Sequence, residues 1–322
     1  MSTSVRALWK TLCDRVSGRA AVLRELHNYA STFGKMPGLL GQAVGRSIAM
    51  SDVFPWHELS GHRFTTWERD VSGRLRGSPS SSNIFKVTRR ETLEHASLSL
   101  FEIEGLGSCT DPIEDFTDMD AFALAHCAEL MKRANDDKVL ALMSDPSVRL
   151  WVEGVPPRMA PDTLVWHQWD ERVMLSNAGR PYALVAARSL AKLAGSQIIV
   201  GGPMVIHRID MAAAMELTSK FHLFYVGSPG FDGHRMRIIQ IGRSPDHQLY
   251  ELMDKLQAPW GFLELPANVN DAFMLVLPRG VPESDEVADV LRAADVTDAG
   301  LVLQAAGLNQ VPMYPRYAHH EA

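Results

Sequence analysis

Arg180 stands in a stretch of sequence built to present it. Asn177-Ala178-Gly179-Arg180-Pro181-Tyr182 lies between an extended apolar run, Val173-Met174-Leu175-Ser176, and an alanine-rich segment from Ala186 to Leu193. Asn177 and Gly179 supply turn chemistry, and Pro181 suits the first helical position, where a backbone N–H would have no helical partner anyway. A strand that turns sharply into a helix N-terminus aims free N–H groups at one point, and that point attracts an anion. Arg180 adds a planar fork that matches phosphate oxygens two at a time. The chemistry implied is the binding of a nucleotide or other phosphate-bearing small molecule, with Asn177, Gly179, Arg180, Tyr182 and Arg188 as the binding set. Just upstream runs Trp166-His167-Gln168-Trp169-Asp170-Glu171-Arg172. Its plain reading is a half-buried strand with two packed tryptophans. Its functional reading puts His167 and Asp170 on a pocket rim beside Arg180, where a histidine can move protons near neutral pH. These two are the catalytic candidates; whether hydrolysis or transfer follows is left open, and no cofactor is named.

Other chemistry-bearing patterns fall away on spacing. His57-Glu58-Leu59-Ser60-Gly61-His62 has one residue too many for the zinc-protease motif. Histidines five apart sit about 140° apart around a helix, so they share no face. Cys109, His126 and Cys127 are too sparse for a structural zinc site, and no metal is expected. Gly201-Gly202-Pro203 lacks the Lys-Ser/Thr of a phosphate-binding loop and reads as a turn after a strand. No nucleophile-elbow motif occurs, and His319-His320 reads as a solvated tail.

The elements around the turn alternate. Strands are predicted at 172–176, 197–201, 221–226 and 273–277, with helices at 181–194, 210–220, 245–257 and 282–294 and a further apolar run at 236–241. Asp210 and Ser244 suit N-caps, and Pro282 suits a first helical turn. Upstream, strands are predicted around Ile84–Thr88, Leu98–Ile103 and Val148–Glu153, with a helix from Met119 to Ala134. The first fifty residues read as helices, with Val5, Leu8, Trp9, Leu12 and Val16 at spacings of three and four. The fold expected is α/β, a layered sheet with helices, with mixed α+β as the alternative and a helical region in front. The division runs 1–76 helical, 77–83 a flexible Gly/Ser/Pro loop, 84–310 the α/β domain and 311–322 a tail. The segment Gly73–Asn83, flanked by Arg74 and Arg76, reads as a connector or as a lid over an anionic ligand.

Composition narrows the setting. The chain has 322 residues, 46% of them hydrophobic and 22% charged, with no apolar run long enough to span a membrane. With 38 acidic and 32 basic residues the net charge is −6, which argues against nucleic acid as main partner. The local exception is Arg69 to Arg90, where six basic residues face only Asp70. Cys13, Cys109 and Cys127 give no disulfide framework, and a cytoplasmic setting is expected. The alternative to a ligand-binding protein is a noncatalytic interaction or regulatory protein, such as one of a mobile element or defence system. Its protein contact would be a surface of Trp56, Phe64 and Trp67 beside the basic segment.

The stretch from Trp169-Asp170 through Asn177, then Ala186-Ala187-Arg188, Phe273 to Arg279 and Val290 to Ala294, resembles an uncharacterised bacterial protein family known only as a domain of unknown function. The resemblance covers roughly 85–305. The family's turn reads closer to Asp-Gly-Ser-His-His-Phe-Ala-Ala-Ala-Arg, so its paired histidines are absent here, and the resemblance implies no activity. Over 172–201 the order strand, Asx-x-Gly, Arg, Ala-rich helix, strand is similar to the nucleotide-binding core of ParB and sulfiredoxin proteins, which hold phosphates with Gly-x-x-Arg at a helix N-terminus. Here the arginine follows the glycine directly, and Pro181 stands where those families carry polar residues.

Overall fold

The computed structural model describes residues 18–36, 47–132, 136–152, 155, 157–177, 180–227, 247–266, 269 and 272–308. The expected helix over Val5–Val16, the apolar run 236–241, Ser244, Gly179 and the tail from 311 lie outside these residues. The architecture is mixed α+β, with two sheets of five and six strands. Eight α-helices occur among the described residues, and none of them is long and apolar enough to cross a membrane. The chain forms two compact units that interleave in sequence: one from 1–36, 55–87 and 211–304, the other from 37–54, 88–210 and 305–322.

The first unit holds a fully antiparallel sheet in the order β2 (Leu75–Ser80), β1 (Phe64–Arg69), β10 (Trp260–Glu264), β11 (Ala272–Pro278), β9 (Phe221–Gly227). Helices α1 (Arg19–Ala30), α6 (His247–Leu256) and α7 (Pro282–Ala293) share one apolar core with this sheet. On α6 the spacing of Leu249, Leu252, Met253 and Leu256 makes the buried stripe; on α7 Pro282 sits in the first turn, as its sequence position predicted. Helix α5 (Met211–Lys220) leads into β9. Two expectations fail in this unit. Residues 64–69 form a strand inside the region read as helical. The Gly77–Asn83 loop is instead the second half of β2, paired with β1 over six residues, followed by a 3-10 turn that Ser81 caps. The turn that the β1–β2 hairpin needs is earlier, at Asp70–Arg74, where Asp70 accepts from the Ser72 and Arg74 N–H groups. With 75–80 in a sheet, the mobile lid is withdrawn.

The second unit holds a mixed sheet in the order β3 (Thr88–Ser99), β8 (Ile199–Ile209), β6 (Thr163–His167), β7 (Val173–Ser176), β4 (Ile103–Leu106), with β5 (Trp151–Val152) also paired to β8. Helices α2 (Met119–His126), α3 (Asp136–Met143) and α4 (Tyr182–Ala194) belong to its core. The last described helix is α8 (Ala299–Leu308). The Gly201-Gly202-Pro203 turn does not exist: β8 runs straight through it. A Cβ on Gly201 would come within 2.6 Å of the Ala96 carbonyl oxygen, so glycine permits the approach of β3. The register between β3 and β8 slips from Leu93 to Ala96, opposite Pro203, and that bulge spares the ladder the N–H proline lacks. β3 itself starts later than Ile84, because residues 82–85 form the 3-10 turn.

Candidate functional site

β7 ends at Ser176, and α4 begins at Tyr182. Asn177 does not wait for a ligand. Its Oδ1 accepts from the N–H groups of Gly107 and Ser108 at 3.1 and 3.2 Å, and its Nδ2 donates to the Ser108 carbonyl at 2.8 Å. The residue thereby staples the turn to the loop after β4. Pro181 is the N-cap of α4; no side chain caps the helix and no acid lies in its first turn, so the positive end of the helix dipole is uncompensated there. Arg180 is exposed and has no ion-pair partner among the described residues.

Arg180, Pro181 and Leu184 help line a small cleft that opens to solvent. Ser147–Leu150, Asp162, Leu175 and Asn177 complete the lining. Asp162, nearly sealed from solvent, is ion-paired with Arg149, so its charge is answered within the lining. The net result is a guanidinium with no ion-pair partner among the described residues, over a small cleft at a helix N-terminus that no side chain caps. Arg149 and Asp162 carry no motif, and spacing along the chain could not have joined them to Arg180.

The other expected binding residues are committed elsewhere. Tyr182 Oη donates to Asp111 Oδ2 at 2.6 Å, with Thr110 Oγ1 also at 2.6 Å; the Asp111 bond first of all pushes the phenol up to about 12. Arg188, about 9 Å further along the helix, pairs with Asp120 at 3.0 Å and donates to the Phe101 carbonyl at 3.3 Å. Burial tends to raise the Asp120 carboxyl, but hydrogen bonds from Lys192 and Ser189 and the charge of Arg188 outweigh it and hold the group below its usual range.

His167 and Asp170 are not beside Arg180. Thr163 pairs with Ser176 and Trp166 with Val173, so β6 and β7 are a hairpin whose open end carries Asp162 and Asn177. His167 and Asp170 sit at its closed end, about 13 Å away along the strands. The single strand read over 166–172 is thus a strand end and a turn, with Glu171 at φ 68°. Both residues are buried. The His167 ring stacks on His207 with centroids 5.1 Å apart. Arg172 grips Asp170 with two bonds of 2.9 and 3.0 Å and donates to the Ser47 carbonyl at 2.7 Å. The exposed aromatic surface fails as well: Trp56 and Phe64 are core residues, and Trp67 stacks on Trp260 at 5.8 Å. Within the basic segment, Arg69 pairs with Asp254 and Arg76 with Asp70.

A family model described as "Family of unknown function (DUF6685)" matches residues 93–313. No curated protein matches the chain, and no solved structure does. The likeness of 172–201 to ParB and sulfiredoxin proteins finds no support in these comparisons.

Proposed function

We propose, for a chain that belongs to the family of unknown function DUF6685, that the cleft at Arg180 binds a small phosphate-bearing molecule, a nucleotide being the first to test. The observation that carries this is the exposed Arg180, without an ion-pair partner among the described residues, at a cleft where α4 begins without a side-chain cap. An oxyanion there meets the first-turn N–H groups and a guanidinium fork together, a combination that suits phosphate oxygens. Arg149, paired with Asp162, also lines the cleft and offers a second cation to a larger anion. The reading is of binding; His167 and Asp170 lie too far away to act on what is bound, and no reaction is assigned.

Calorimetry with a nucleotide panel and inorganic phosphate tests it. Arg180→Ala is expected to weaken binding at least tenfold, about 1.4 kcal/mol, while Arg180→Lys retains part of the affinity because it keeps the charge and loses the fork. Failure of the wild-type chain to bind any member of the panel sinks the proposal.

A further inference from the structure

The loop after β4 carries a cluster of side chains that anion binding does not use. Asp111 is its hub: Oδ2 accepts from Tyr182 and lies 3.1 Å from His126 Nδ1. With Thr110 on the same tyrosine oxygen, these contacts pin residues 110 and 111 against the end of α2, where His126 precedes the C-cap Cys127. Phe122 fixes the same arrangement from the apolar side, its ring 4.8 Å from His126 and 6.3 Å from Tyr182. Cys127 lies inside the apolar core of this unit, and Cys109 packs against the edge of that core, partly open to solvent.

We propose that Cys109 and Cys127 are a redox-responsive dithiol that a peroxide closes to an intramolecular disulfide. The Cys109 thiolate attacks one peroxide oxygen, the O–O bond breaks, and water leaves after protonation, so Cys109 becomes a sulfenic acid. The Cys127 sulfur then attacks the Cys109 sulfur, the S–O bond breaks, and a second water carries off the Cys127 proton. Two thiols lose two electrons to one hydrogen peroxide, giving one disulfide and two waters. The environment sets the order. Burial first, then the neighbouring Cys109 and Asp111, push the Cys127 thiol up to about 11, so the partly exposed Cys109 is the thiol that meets peroxide first. Closure draws the 107–111 loop toward α2, and Gly107 and Ser108 of that loop hold Asn177. The bridge therefore acts on the cleft rim; that consequence rests on the anion-binding reading, whereas the bridge itself does not.

The test treats the full-length protein with hydrogen peroxide, alkylates free thiols and maps peptides by mass without reductant. The expected product joins the Cys109 and Cys127 peptides, lighter by two hydrogens than their sum and separated by reduction. In Cys127→Ser the expected product is a Cys109 sulfenic acid that a dimedone probe traps; if that variant does not fold, the wild-type map decides. Cys109 driven to sulfinic or sulfonic acid with Cys127 still alkylated overturns the proposal, as does pairing of Cys109 with Cys13 or no oxidation of either thiol. Anion affinity of the oxidised and reduced forms is measured separately. Absence of binding in both forms overturns the cleft reading, while a mapped Cys109–Cys127 bridge supports the dithiol whichever way that falls.

Discussion

Asp170 and Arg180 show how differently a charged residue can be used within a dozen positions. Asp170 is sealed against Arg172, whose guanidinium also holds the Ser47 carbonyl. Removing the carboxylate leaves a buried cation unanswered, so Asp170→Ala is expected to cost about 3 kcal/mol in urea unfolding, against less than about 0.5 kcal/mol for exposed Arg180→Ala. Equal losses would put both residues in one role. His222 is a second committed group. Arg292 donates to its Nδ1 at 2.8 Å, so that nitrogen has no proton, and Nε2 donates to Asp285 at 2.9 Å. Burial, outweighing the Asp285 bond, holds the imidazole below its usual range, with the charges of Arg279 and Arg292 acting the same way. A base with a depressed folded pKa binds fewer protons folded than unfolded, so its stabilisation is full above the unfolded value near 6.5 and drains away as pH falls below it. Thermal unfolding across pH 5 to 8 is expected to show this decline, and His222→Gln to flatten it.

Helix α4 ends where the chemistry of its sequence says it should. Gly195 takes φ 68°, and the Ser196 N–H returns to the Ala191 carbonyl at 2.9 Å, closing the last turn. A side chain at that φ is strained, so Gly195→Ala is expected to lower stability by about 1 kcal/mol, read from the denaturant midpoint. Stretches whose periodicity is local could be read directly: 181–194, 210–220 and 282–294 as helices, 172–176, 221–226 and 273–277 as strands. Gly201-Gly202-Pro203 misled because its meaning is supplied by β3, a partner remote in sequence, and Gly77–Ser80 because its glycine, serines and proline have loop chemistry while the strand is set by pairing with β1 across the Asp70–Arg74 turn. Charged, exposed Arg89 to His95 gave no alternation at all, yet forms most of β3. At the site, Arg180 and its turn could be inferred because strand, turn and helix are consecutive. His167 and Asp170 were misplaced because Gln168-Trp169-Asp170-Glu171 turns without glycine or proline, with non-glycine Glu171 taking the left-handed position.

Seen as a whole, the chain assembles each sheet from distant segments. β1 and β2 lie before residue 93, where the family match starts, yet β1 covers the edge of β10. Deleting residues 1–83 removes both strands and uncovers the ladder groups of Trp260 to Leu263, an open edge of the kind that pairs with other chains. The shortened protein is expected to aggregate under conditions where the full chain stays soluble, as light scattering would register; a well-behaved monomer would refute this. The same pairing has a consequence during synthesis. Phe64 meets Leu263, so the β1–β2 hairpin leaves the ribosome roughly two hundred residues before its partner, a delay of about 10 to 40 s at ordinary elongation rates. Throughout that interval the indole of Trp67 has neither Trp260 nor Tyr250 to cover it. The nascent chain thus carries an unpaired aromatic hairpin, and a pause or truncation before residue 260 turns a folding intermediate into a template for misassembly.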